Sequence, residues 1–157
     1  IGMGNIGSKV AKIAEAFGMN VCYFSTSGTG HCKDYPCLSL EELLKVSDIV
    51  SIHAPLNERT NRLIGKEQLA LMRPTAYLVN VGRGAIIVEE DLAEAVDNGI
   101  IAGAGIDVFV QEPIPEGHPY LKMQHPERMR LTPHIAWASI EARRRLIDIM
   151  ADNIRKG

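Results

Sequence analysis

The sequence predicts an α/β domain built on a doubly wound parallel sheet, and three observations carry that prediction. Short, mostly apolar runs alternate with amphipathic stretches along the 157-residue chain, the rhythm of strands joined by crossover helices. The runs DIVSIHAP, TAYLVNVG and IAGAGIDVF are near-continuously apolar rather than alternating, as strands covered on both faces are. Finally, the chain opens IGMGNIG, where Gly2, Gly4 and Gly7 space out a tight turn at a helix start.

The elements follow in order. From Asn5 to Phe17, the residues Ile6, Val10, Ile13, Ala14 and Phe17 recur at helical spacing, and Gly18 suits the position after a helix end. MNVCYF (19–24) reads as a short buried strand ended by the turn-rich STSGTG. Ser39 and Glu42 make a capping-box pattern that opens a helix through LEELLKV. DIVSIHAP is a strand stopped by Pro55, and KEQLALM a short helix before Pro74. TAYLVNVG is a strand, and VEEDLAEAVDNG is an amphipathic helix ending at Gly99. IAGAGIDVF and RLTPH are the last strands, and SIEARRRLIDIMADNIRKG is the closing helix. Only Ile1 precedes the glycine turn. The first strand, central in such a sheet, is therefore expected to be largely missing from a chain cut from a larger protein.

Composition limits the function classes. A hydrophobic content of 46% supports one core, hence one domain over 1–157. A net charge of −2, without basic excess, gives no sign of nucleic-acid or anionic-membrane partners. No apolar run approaches the roughly 18 residues of a membrane span, and the N-terminus lacks a secretory layout. Cys22, Cys32 and Cys37 are odd in number and form no C-x-x-C pair. They read as reduced thiols of a cytoplasmic protein with no metal site; His31 beside Cys32 has no second ligand pair.

In open parallel sheets, ligands bind beyond the carboxyl ends of the strands. There, Gly2 permits the bend, Gly4 lets a pyrophosphate approach, and Gly7 lets the helix pack closely. The amides at the helix start, around Asn5 and Ile6, favour its charge. This is the signature of a dinucleotide cofactor. The second strand would normally end in the acid that holds the adenosine ribose, but here it ends in Ser25, Thr26 and Ser27. The choice between NAD and NADP stays open: no carboxylate repels a 2′-phosphate, yet no arginine stands nearby in sequence, only His31 and Lys33.

Three further stretches, HAPLNERTNRLI (53–64), VNVGRGAIIVEEDL (79–92) and GIDVFVQEP (105–113) followed by TPHIAWAS (132–139), join the glycine turn in a specific joint pattern. With it they resemble the D-isomer-specific 2-hydroxyacid dehydrogenases, closest to the glycerate dehydrogenase, or hydroxypyruvate reductase, branch. The resemblance spans the chain and implies a Rossmann-type NAD(P)-binding domain, inserted in that family into a substrate domain. Residues 138–157 are expected to lead back to that absent domain. It also implies a catalytic trio of Arg83, Glu112 and His134. An arginine fork clamps a carboxylate in two places, a histidine moves a proton near neutral pH, and a glutamate beside it favours the imidazolium and fixes the ring.

By the same resemblance, His53, Ala54, Pro55, Thr60 and Ala136 are cofactor-side positions, as are Arg83 and His134 besides their catalytic roles, and Val81 and Gly82 flank the nicotinamide. Asp107 is either a contact to the nicotinamide carboxamide or a loop-capping aspartate. Trp137 either shapes the substrate pocket or packs at a domain or dimer edge. The implied activity is hydride transfer between a nicotinamide cofactor and a small 2-keto or 2-hydroxy acid such as hydroxypyruvate, glyoxylate or D-glycerate, in a homodimer. The rivals are D-lactate, phosphoglycerate or formate dehydrogenase activity, and a non-enzymatic cofactor-sensing module like the corepressor relatives.

Overall fold

The structure is a computed structural model that describes residues 1–30 and 32–156. His31, considered above for metal or phosphate, and Gly157, at the end of the closing helix, lie outside the described residues. Four strands form one parallel sheet in sequential order: β1 (Ile49–Ile52), β2 (Tyr77–Asn80), β3 (Gly103–Ile106) and β4 (Met129–Leu131). The register pairs Ile49 with Tyr77, Tyr77 with Gly103, and Ala104 with Met129. All four carboxyl ends therefore fall on one edge of the sheet, and the loops that carry His53, Arg83, Asp107, Glu112 and His134 leave from that edge.

The helices are α1 (Asn5–Ala16), α2 (Leu40–Val46), α3 (Lys66–Leu69), α4 (Glu89–Asp97) and α5 (Ile140–Lys156). Gly18 and Gly99 adopt φ +81° and +68° after α1 and α4, the left-handed stop the sequence signals. Ser39 and Glu42 close the expected capping box on α2, each accepting the other's backbone N–H. The core lies between the sheet and its flanking helices. Leu44, Ile52, Leu78, Leu92, Val96 and Ile101 are fully buried in it. α5 buries none of its residues.

One element departs from the sequence pattern. MNVCYF is not a regular strand; it is an extended stretch with a single parallel bridge, Tyr23 to Cys37. A ladder needs a run of partners, and among the described residues this stretch meets on its inner side only Gly2, whose N–H donates to the Phe24 carbonyl at 2.9 Å. On the other side of the same short segment, His53 N donates to the Ile1 carbonyl at 2.8 Å. Ile1 and Gly2 thus sit between the 22–24 stretch and β1, bringing the glycine turn to the sheet edge.

Candidate active site at the carboxyl ends of the strands

The glycine turn is packed from behind and open in front. Gly2 has φ +86°, and a Cβ there would lie 3.0 Å from Ala54 N; a Cβ on Gly7 would lie 2.2 Å from the Gly2 carbonyl oxygen. Gly4, by contrast, faces open space and caps α1 without any side-chain bond, so the first amides of the helix, from Asn5 and Ile6, carry no cap. That combination fits a pyrophosphate lying against a helix start.

Next to it, His53 uses Nε2 against Ser51 Oγ at 2.9 Å, and its buried Nδ1 has no partner among the described residues. Burial lowers its pKa, favouring the neutral ring. Ala54 is buried, and Pro55 is exposed. Thr60 is fully buried; its hydroxyl donates to the Pro55 carbonyl at 2.6 Å and accepts from Asn57 N at 2.8 Å. Its side chain therefore shapes the 55–60 loop from inside.

At the Ser25 turn, Ser25 Oγ donates to the Thr29 carbonyl at 2.6 Å and lies 3.0 Å from Ser27 Oγ. The expectation that no arginine stands near this turn holds only along the sequence. In space, Arg59 reaches it from the loop after β1 and donates Nη1 to the Ser27 carbonyl at 3.1 Å, across 32 residues. A loop-to-loop approach of that kind leaves no periodic signal to read.

The loops after β2, β3 and β4 carry the predicted trio. Asn80, buried at the end of β2, accepts from Gly82 N at 3.0 Å and donates to the Arg83 carbonyl at 3.0 Å, folding Val81, Gly82 and Arg83 into a fixed turn. Sequence reasoning passed over Asn80, although an amide ending an apolar run was its signal. Arg83 is exposed and donates Nη1 only to the Gly82 carbonyl, at 2.7 Å. Behind it, Gly84 packs against backbone so closely that a Cβ would lie 2.0 Å from Phe109 C. This docks the arginine turn onto the loop that carries Glu112.

Glu112 and His134 meet directly, with Oε2 to Nδ1 at 2.7 Å, and Glu112 Oε1 accepts from Phe109 N at 2.9 Å. The His134 bond first, then the Phe109 amide, hold the Glu112 carboxyl below the usual carboxylate range. The pair is part-exposed, each side chain at 38%. His134 has φ +55°, a left-handed conformation rare for a non-glycine residue and held here by its surroundings. The main restraint is Asp107. Its carboxylate accepts from Thr132 Oγ1, from Ile135 N at 2.9 Å and from Ala136 N at 2.9 Å, while its carbonyl accepts from His134 N at 2.8 Å.

Burial pushes the Asp107 carboxyl up, but these donors together hold it below its ordinary value. These bonds make Asp107 a cap of the 132–136 loop, one of the two roles the sequence offers for it. Trp137 donates Nε1 to the His134 carbonyl at 2.9 Å and leaves half its surface exposed. No hydrogen bond joins Arg83 to Glu112 or His134 among the described residues. His118, given no role from sequence, is buried against Glu89 at 3.1 Å, and Glu89 also accepts from Val110 N at 2.9 Å. The two brace the strand-end loop that carries Glu112.

Residues 1–136 match the family model described as D-isomer specific 2-hydroxyacid dehydrogenase, NAD binding domain. The glyoxylate reductase of Korarchaeum cryptofilum is 44% identical over 98% of this chain and 46% of its own length. An NADPH-dependent glyoxylate/hydroxypyruvate reductase from Sinorhizobium meliloti, solved with NADP and malonate, superposes with TM-score 0.87 at 32% identity, over 98% of this chain and 47% of that one. A D-isomer specific 2-hydroxyacid dehydrogenase from Lactobacillus delbrueckii ssp. bulgaricus, solved with NAD, gives 0.86 at 34% identity, over 99% and 52%. The chain spans about half the length of the curated relatives it matches.

Proposed function

We propose, on the premise that this chain belongs to the D-isomer specific 2-hydroxyacid dehydrogenase family as its NAD-binding domain, that it serves a reductase of small 2-keto acids such as glyoxylate and hydroxypyruvate. The observation that carries this reading is the Glu112–His134 pair at 2.7 Å, on a turn held by Asp107 and beside the Arg83 turn.

The nicotinamide, when bound, supplies the hydride to the carbonyl carbon of the keto acid. His134 then gives its proton to the carbonyl oxygen, using the ring nitrogen that Glu112 leaves free. Glu112 keeps the ring aligned through its contact with Nδ1. Arg83, with all but one of its guanidinium N–H groups unused among the described residues, clamps the substrate carboxylate in two places and polarises the carbonyl. Gly2, Gly4, Gly7 and the α1 amides hold the pyrophosphate, while His53, Ala54 and the Val81–Gly82 turn line the dinucleotide. Trp137 limits the substrate side chain. A second domain supplies the rest of the substrate pocket, as the relatives' greater length supports.

We further infer a homodimer in the cytoplasm. Exposed apolar side chains on α1, among them Ile13 at 59% and Phe17 at 80%, support a protein partner. The unremarkable net charge and the absence of a membrane-length apolar helix among the described residues are in keeping with that. The test is a steady-state assay of the full-length protein with glyoxylate, hydroxypyruvate and pyruvate, each with NADH and NADPH. Turnover of the first two above pyruvate is expected. Cofactor binding without turnover of any keto acid would make the chain a sensor and overturn the enzyme reading.

A further inference from the structure

We propose that Arg59 selects the cofactor: with the Ser25–Gly28 turn it forms a receptor for a phosphate on the adenosine ribose, making this chain prefer NADP(H). The inference rests on the dinucleotide reading above and adds a residue that sequence spacing does not point to.

Position comes first. Gly2 N donates to the Phe24 carbonyl at 2.9 Å, so the turn that begins at Ser25 starts beside the pyrophosphate turn. The adenosine ribose of a dinucleotide falls at this strand end. Residues 25–30, STSGTG, contain no carboxylate, so nothing in the turn competes with a phosphate or grips the 2′- and 3′-hydroxyls together.

Arg59 is delivered rather than left loose. Asn57 Oδ1 accepts from Arg59 N at 2.9 Å and from Thr60 N at 3.2 Å, and the buried Thr60 hydroxyl ties the loop to the Pro55 carbonyl. The loop's other end, at Ala54, packs against Gly2. One rigid turn therefore connects the pyrophosphate site to the guanidinium. That guanidinium spends a single N–H on the Ser27 carbonyl and has no ion-pair partner among the described residues. Its Nη1 also lies 3.3 Å from where a Cβ on Gly28 would be, so the free donors stand over the turn. A planar guanidinium stationed over the turn by one hydrogen bond, with donors to spare and no ion-pair partner among the described residues, suits a doubly charged phosphate. Ribose hydroxyls alone would gain little from it.

The test measures binding, independently of catalysis. Dissociation constants for NADPH, NADH, 2′,5′-ADP and 5′-ADP are measured by calorimetry on wild type, Arg59→Ala and Arg59→Lys, with melting curves confirming that each variant is folded. Wild type is expected to bind NADPH and 2′,5′-ADP at least tenfold tighter than their counterparts lacking the 2′-phosphate. Arg59→Ala should lose roughly 10- to 100-fold in affinity for the phosphorylated pair, the range of a charge-assisted hydrogen bond. Its NADH affinity should move by less than about threefold, and Arg59→Lys should recover part of the loss. A wild-type preference for NADH, or equal losses for both cofactors in Arg59→Ala, overturns the proposal while leaving the dinucleotide site standing. Binding of neither cofactor by wild type overturns both.

Discussion

Around His134, one buried residue gathers the whole turn: Asp107 accepts from Thr132, His134, Ile135 and Ala136, and Glu112 then locks the ring. Around Ser25, the turn closes mostly on itself through Ser25, Ser27 and Thr29, and the 55–60 loop reaches it through Arg59, an exposed side chain. The first arrangement over-determines a strained φ of +55° and leaves the His134 ring little freedom. The second is bridged to the neighbouring loop by one long, exposed side chain through a single hydrogen bond. On the proposed function, that division fixes the proton-carrying group and leaves the phosphate-reading end adjustable.

The largest expected effect is at the rigid end. His134→Ala removes the proton donor and should lower kcat of the full-length protein by on the order of 10²–10⁴, with cofactor affinity little changed. Steady-state kinetics beside a cofactor titration check this, and unchanged turnover would mean that the well-braced turn serves some other purpose.

Next comes Gly84→Ala. The new Cβ would meet Phe109 backbone at 2.0 Å, where no side chain can swing away. The arginine turn and the Glu112 loop must separate, at an expected cost of about 3 kcal/mol in stability, the upper part of the usual range for overpacking. A thermal melt reads it; a melting point within a degree of wild type would show that this end is softer than its hydrogen bonds suggest.

Arg83→Lys is milder. It keeps the charge and loses the fork, so KM for the keto acid should rise about tenfold, the scale of one charge-assisted bond, with a smaller fall in kcat. Near-wild-type kinetics would remove the clamp and leave Glu112 and His134 as the working pair.

The same contrast explains what could be read from the sequence. β1 to β4 and α1 to α5 were legible because periodicity, caps and stops are local; Ser39 with Glu42 and Gly99 after α4 are examples. Glu112 and His134 were named through the family resemblance, and they meet because successive strands of a parallel sheet deliver their ends to one edge. Asp107 was visible with two candidate roles, and the sequence could not show which donors it gathers, since they are the Thr132 hydroxyl and backbone amides 28 and 29 residues away. Arg59 was missed altogether: nothing in NERTN reports that its guanidinium crosses to Ser27. The strand expected at 19–24 was misread because β-forming composition cannot supply the neighbouring ladder a strand requires.

Gly28→Ala carries the smallest expected effect and tests the comparison most directly, because it repeats the Gly84 substitution at the adjustable end. Gly28 has φ +83°, so an alanine there is strained, at about 1 kcal/mol. The nearest atom to its Cβ is Arg59 Nη1 at 3.3 Å, the tip of a flexible side chain that can withdraw. The melting point should therefore drop by only a few degrees, and turnover at saturating cofactor should stay close to wild type. NADPH affinity should weaken more than NADH affinity, because displacing the guanidinium costs the phosphate and not the ribose. If Gly28→Ala destabilises the chain as much as Gly84→Ala, the Ser25 turn is as tightly built as the His134 turn, and the division between a rigid and an adjustable end fails.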